Sequence, residues 1–87
     1  MERERIEWRL ALVEAQLAAA DRAQEVTAAV LAAEDREGAS RAVAELLAIS
    51  QEGGRTVLDT AWGRLTQEER RLLAEEAARM RRQLGSA

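Results

Sequence analysis

The chain has 87 residues, 13 of them basic (all arginine) and 16 acidic, for a formal net charge of −3. It contains no Cys and no His, which removes disulfides, zinc and most transition-metal sites from the ways a small domain is stabilised. The acidic balance argues against a dedicated nucleic-acid binder, which carries a basic field, and no apolar run approaches the roughly 20 residues that span a bilayer.

A domain of this size buries only about 60–65% of the surface its unfolded chain exposes. Without disulfides or metals, the remaining remedy is a partner chain, so self-association is expected from size and composition. The absence of proline and the abundance of alanine predict an all-α fold, because these residues lie at opposite ends of the helix-propensity scale.

From Ile6 the apolar residues Ile6, Leu10, Val13, Leu17 and Ala20 alternate steps of four and three. This is the seam of a coiled-coil-like helix, running over residues 1–20 and reaching about 28 Å at 1.5 Å per residue. Trp8 and Leu12 add a narrower strip, read as packing or as a partly exposed patch for another protein. The start Met1-Glu2-Arg3-Glu4-Arg5 is acidic as well as basic and lacks a following apolar core, so no secretory signal is expected. A cytoplasmic location follows by default.

Asp21, with Gln24 three residues on, predicts a break and a new helix start. The second helix is short, with Val26, Ala29, Val30 and Ala33 as its inner face. Asp35 is a candidate cap for a third helix presenting Ala39, Val43, Leu46 and Leu47, with Ile49 beyond. Ser50 starts a fourth, whose first turn is loosened by Gly53-Gly54 and whose buried side is expected to hold Val57, Leu58, Ala61, Trp62 and Leu65. Thr66 and Glu69 form a capping-box signature for the last helix, in which Leu73, Ala77, Met80 and Leu84 step by four, three and four. Gly85-Ser86-Ala87 is expected to fray.

Two seam-bearing helices thus bracket three short ones. The matched seams predict one domain over 1–87, in which 1–20 and 66–84 pair antiparallel as a stalk and 21–65 form a helical knob at its tip. A compact five-helix bundle is the alternative, and the first seam can also pair between chains.

Signs of chemistry are sparse. Ser40 and Ser50 have no histidine to activate them. The acids fall on polar faces, whereas acid/base work needs a buried, perturbed carboxyl in a cleft. Gly53-Gly54 lacks the downstream lysine of a phosphate loop. The arginines from Arg70 to Arg82 are interleaved with Glu68, Glu69, Glu75 and Glu76, in the arrangement of a solvated helix face. A non-enzymatic protein with no catalytic residue, metal, cofactor or small-molecule substrate is expected.

Glu25-Val26, Asp35-Arg36-Glu37, Ala39, Leu58-Asp59, Arg64-Leu65-Thr66 and Glu69-Arg70 occur in an order that resembles one family. It is the A-type protein of DNA gyrase and topoisomerase IV, at the small helical domain closing its far end. An apolar-Leu-Asp run followed by Arg-Leu and a small polar residue is the most specific part, and the likeness covers about Arg5 to Ala77. The resemblance implies a coiled coil ending in a helical knob, the C-gate, that pairs with its twin and does no chemistry.

The chain departs from the pattern at Gly53-Gly54, where the family has Gln-Ala, and at Ala61-Trp62, where it has an Arg-Leu pair. It has no tyrosine, and the family cleaves DNA with a tyrosine on a separate winged-helix domain. DNA cleavage by this chain alone is therefore not expected. The expected dimer interface is Val57, Leu58, Ala61, Trp62, Arg64 and Leu65, with Trp62 as anchor because large aromatics dominate such contacts. Besides the chain itself, the DNA gyrase A protein is a candidate partner through its own C-gate, which would modulate supercoiling. A helical DNA-associated role is the remaining alternative.

Overall fold

Five α-helices follow one another in the computed structural model, which describes residues 1–85: α1 (Glu2–Asp21), α2 (Ala23–Ala32), α3 (Arg36–Leu47), α4 (Gln51–Asp59) and α5 (Gln67–Gly85), with a 3-10 turn at Trp62–Leu65 between the last two. All regular structure among the described residues is helical, and none of these helices is long and apolar enough to cross a membrane.

The helix starts are set by short polar side chains. Asp35 caps α3, its carboxylate accepting from the Gly38 N–H at 2.8 Å, and Ser50 caps α4 by accepting from the Gly53 N–H at 3.0 Å. Each satisfies one of the backbone donors a helix start leaves open. Thr66 does the same for α5 through the Glu69 N–H at 3.2 Å, while the Glu69 carboxylate turns to Arg64, 3.8 Å away. The expected start at Asp21 is corrected. The junction is Arg22, whose N–H still bonds to Ala18 and Ala19 and whose side chain does not cap α2. Its guanidinium instead grips Glu25 at 2.7 Å, holding that carboxyl below its usual range, and donates to the Leu46 carbonyl at 2.8 Å. Arg22 thereby ties the α1–α2 bend to the end of α3.

The end of α3 is closed by Ala48 in the left-handed region (φ 55°, ψ 47°), with the Ile49 N–H returning to the Ala44 carbonyl at 2.9 Å. This wrap satisfies carbonyls that a helix end leaves open.

The core divides in two. Val13, wholly buried, sits with Leu73, Ala77 and Met80 between α1 and α5, and Ile6, Leu10 and Leu17 pack against them. At one end of this pair the Arg3 guanidinium donates to the carbonyl of half-buried Leu84 at 3.1 Å. Arg9–Glu76 (3.0 Å) and Glu14–Arg81 (2.6 Å) flank the seam. The second cluster joins Ala15, Ala19, Val43 and Val57, with Val26, Ala29, Val30, Leu47, Ile49 and Leu58 around them. Five of the ten buried apolar residues among those described are alanines, so the helices approach closely but each contact removes little apolar area from water.

Gly53 and Gly54 lie within α4 and both are buried. Gly54 lies where α4 crosses α3, and its missing side chain lets the two backbones meet at Ser40. The C-terminal expectation falls partly outside the description: Gly85 closes α5, and Ser86 and Ala87 lie outside the described residues.

Candidate functional site: an uncharged groove beneath Trp62

The fourth helix does not run through to Leu65. It ends at Asp59, and Thr60 and Ala61 are extended before the 3-10 turn begins. Side-chain hydrogen bonds at Thr60, one of them reaching α1, compete with the helical ladder. The Thr60 hydroxyl donates back to the Thr56 carbonyl at 2.7 Å and accepts from the Gln16 amide of α1 at 3.1 Å. A threonine bonded in this way offers the backbone an alternative to the helical ladder. Behind it, the Arg64 N–H bonds to the Ala61 carbonyl at 2.9 Å, which fixes the turn.

The break redistributes the residues expected to form one buried face. Val57 is 8% exposed and belongs to the chain's own core. Leu58 and Leu65 are half-buried; Ala61 and Arg64 are exposed, Arg64 beside Glu69. Trp62, expected on the buried side of a helix, is 73% exposed. Its indole leaves the surface because the extended Thr60–Ala61 segment turns the chain away from the direction α4 would have kept.

Val57, Leu58, Trp62 and Leu65 still face one feature, a groove of about 270 Å³. Gln16 and Ala19 of α1 form one wall and Val26, Val30 and Leu31 of α2 the other. Sequence reasoning put Val26 and Val30 on the inner face of α2 but missed Leu31. Leu31, 80% exposed at its rim, lies off the inner face assigned to α2, and no residue of α2 is buried although the helix carries a single charged residue, Glu25. That was the available signal, since a helix apolar around most of its circumference needs cover on more than one side.

One third of the chain is charged, yet none of the residues lining the groove is. Its polar groups are Gln16, Thr27 and Thr60, of which Gln16 and Thr60 are bonded to each other. The nearby charges Arg36 and Asp59 are paired with each other outside it.

Trp8 borders a different depression, with Ala11, Leu12, Ile49 and Glu52, and its indole N–H donates to Glu52 at 3.0 Å. Ser40 and Ser50 hold structural positions, Ser50 as the α4 cap and Ser40 buried at the α3–α4 crossing. No group of acidic residues that could hold a metal ion occurs among the described residues. Beside the seam, two hydrogen bonds from Arg9 (3.0 and 3.1 Å) hold the Glu76 carboxyl below its usual range against the opposing effect of partial burial.

Compared with known proteins, the chain matches no family model and no curated relative.

Proposed function

We propose that this protein is a non-catalytic interaction module that pairs with a second copy of itself through the face holding Trp62, Leu65 and Leu58. The observation that carries this reading is the uncharged groove with exposed Trp62 and Leu31 at its rim, in a chain otherwise dense in charge. A two-fold contact sets a patch against its own image, so a patch of one sign repels itself and an uncharged one does not. The alanine-rich interior adds a second reason, because a thin core gains most from shared apolar surface.

In this reading α1 and α5 are a stalk and residues 21–65 a knob at its tip, as in the C-gate of the DNA gyrase A protein that the sequence resembles. Seam packing from Ile6 to Leu17 against Leu73 to Met80 supports the stalk.

Magnitudes suggest a modest affinity. Burying a Leu-sized side chain is worth about 1.5–3 kcal/mol, and a two-fold axis counts Trp62 and Leu31 twice. At the favourable ends of the ranges, roughly 12 kcal/mol gained against about 4 kcal/mol of association cost, the surplus of about 8 kcal/mol corresponds to a micromolar dimer. Sedimentation equilibrium from about 1 to 100 µM brackets that range. The mass should rise toward twice 9.6 kDa, and a constant monomer mass sinks the proposal.

A second reading is pairing with the DNA gyrase A protein. It is favoured by Leu58 and Leu65, which both face the groove and both belong to the family-like motif. Co-purification with that protein and altered supercoiling would support it; neither effect at micromolar protein would dismiss it.

A further inference from the structure

We propose that each copy's Trp62 indole is received by the other copy's groove, against Val26, Val30 and Leu31 of α2. This rests on the self-pairing reading and adds to it the receiving wall, which makes α2 half of the interface.

Trp62 stands on a fixed lip. Thr60 is anchored to Thr56 and to Gln16, and Ala61 holds Arg64, so the turn is braced against folding over to bury its own indole. The groove, at about 270 Å³, falls below the roughly 300–1,000 Å³ of ordinary ligand pockets and suits one large side chain. A buried indole also needs an acceptor for its N–H. Gln16 supplies one, because its amide nitrogen is committed to Thr60 and its carbonyl oxygen is left to accept. An apolar, uncharged side chain with a donor for Gln16 fits this lining. Of the two exposed indoles, Trp8 has its N–H committed to Glu52, whereas Trp62 stands at the rim of the groove itself, which is the geometry a reciprocal two-fold contact requires.

The test uses the full chain carrying Trp8→Phe, which leaves Trp62 as the sole emitter. Fluorescence and sedimentation are followed over the same concentration series. Trp62 emission should shift to the blue in step with dimer formation. Leu31→Glu, at an exposed position outside the buried core, should keep the helical circular dichroism, weaken dimerisation at least tenfold and hold the emission at its water-exposed wavelength. A dimer whose Trp62 emission never shifts, or one that Leu31→Glu leaves intact, overturns this arrangement and leaves self-pairing standing. A wild-type chain monomeric throughout overturns both. Loss of dimerisation from Trp8→Phe alone moves the contact to the Trp8 face and also overturns it.

Discussion

A β-carbon added to Gly54 would stand 2.5 Å from the carbonyl oxygen of Ser40. That separation is closer than such atoms approach one another, and the obstacle is backbone, which cannot rotate aside. The α3–α4 crossing thus depends on glycine at this position. It also depends on Ala44, which would lie 3.2 Å from the same added carbon.

Gly54→Ala should therefore destabilise the fold despite the better helix propensity of alanine. Overpacking of a tight site costs about 1–3 kcal/mol, more than the roughly 1 kcal/mol gained from propensity. Gly63→Ala is the control: nothing lies within 4 Å of its added carbon, and it should leave stability unchanged or slightly raised. Urea unfolding of the two variants decides the matter, and equal midpoints would refute the close-crossing account.

Ala48 offers the opposite case. It holds a left-handed conformation that costs a residue with a β-carbon roughly 1–2 kcal/mol. Ala48→Gly should raise stability by about 0.5–1 kcal/mol, part of the relief being offset by the greater unfolded-state freedom of glycine. A lower urea midpoint would mean that Ala48 contributes something other than a helix end.

Ser50→Ala removes the acceptor for the Gly53 N–H and should cost about 0.5–2 kcal/mol. Ser50→Asp should recover most of it. If alanine and aspartate behave alike in thermal unfolding, α4 does not need its cap.

Trp62→Ala should separate association from folding. Its side chain is largely in water within one copy, so circular dichroism and unfolding at high dilution should barely change, while the sedimentation mass at tens of micromolar falls to that of a monomer. Collapse of the fold at every concentration would show that Trp62 supports the single chain.

The Arg9–Glu76 pair gives a pH dependence of known sign. Glu76 has a lowered pKa in the folded chain, so its contribution is fully present above the unfolded carboxyl value of about 4.3. It fades as pH falls through the lower folded value. Partial exposure of both side chains limits the effect to about 0.2–1 kcal/mol. Glu76→Gln should therefore lower stability at neutral pH and converge with the wild type near pH ~2–3, below the carboxyl range; a constant gap across that range would exclude this linkage.

Helix content and several helix boundaries were legible in the chain because their causes are local. The lack of proline, the alanine content, and the caps at Asp35, Ser50 and Thr66 act within a turn of backbone. The seams from Ile6 to Leu17 and from Leu73 to Met80 were visible as periodicity. The restart at Arg22 and the break after Asp59 were hidden for the same physical reason. Arg22 is held by a carbonyl of α3 and Thr60 by an amide of α1, partners 24 and 44 residues away along the chain.

The groove was half legible. Its Leu58, Trp62 and Leu65 side was read as one helical face, and Val26 and Val30 as the inner face of α2, but Leu31 was not read, nor the two sides as one groove. Sequence by itself determined the all-helical character, the positions of the caps and the shortage of large core side chains, since each depends on residue type and near-neighbour spacing. Only the tertiary structure decided that Val57 packs beside Ala15, Ala19 and Val43, that Gly54 is a point of close approach and that Trp62 stands in water at the rim of a groove. Those outcomes depend on which backbones come within a few ångströms of one another, a relation that spacing along the chain does not encode.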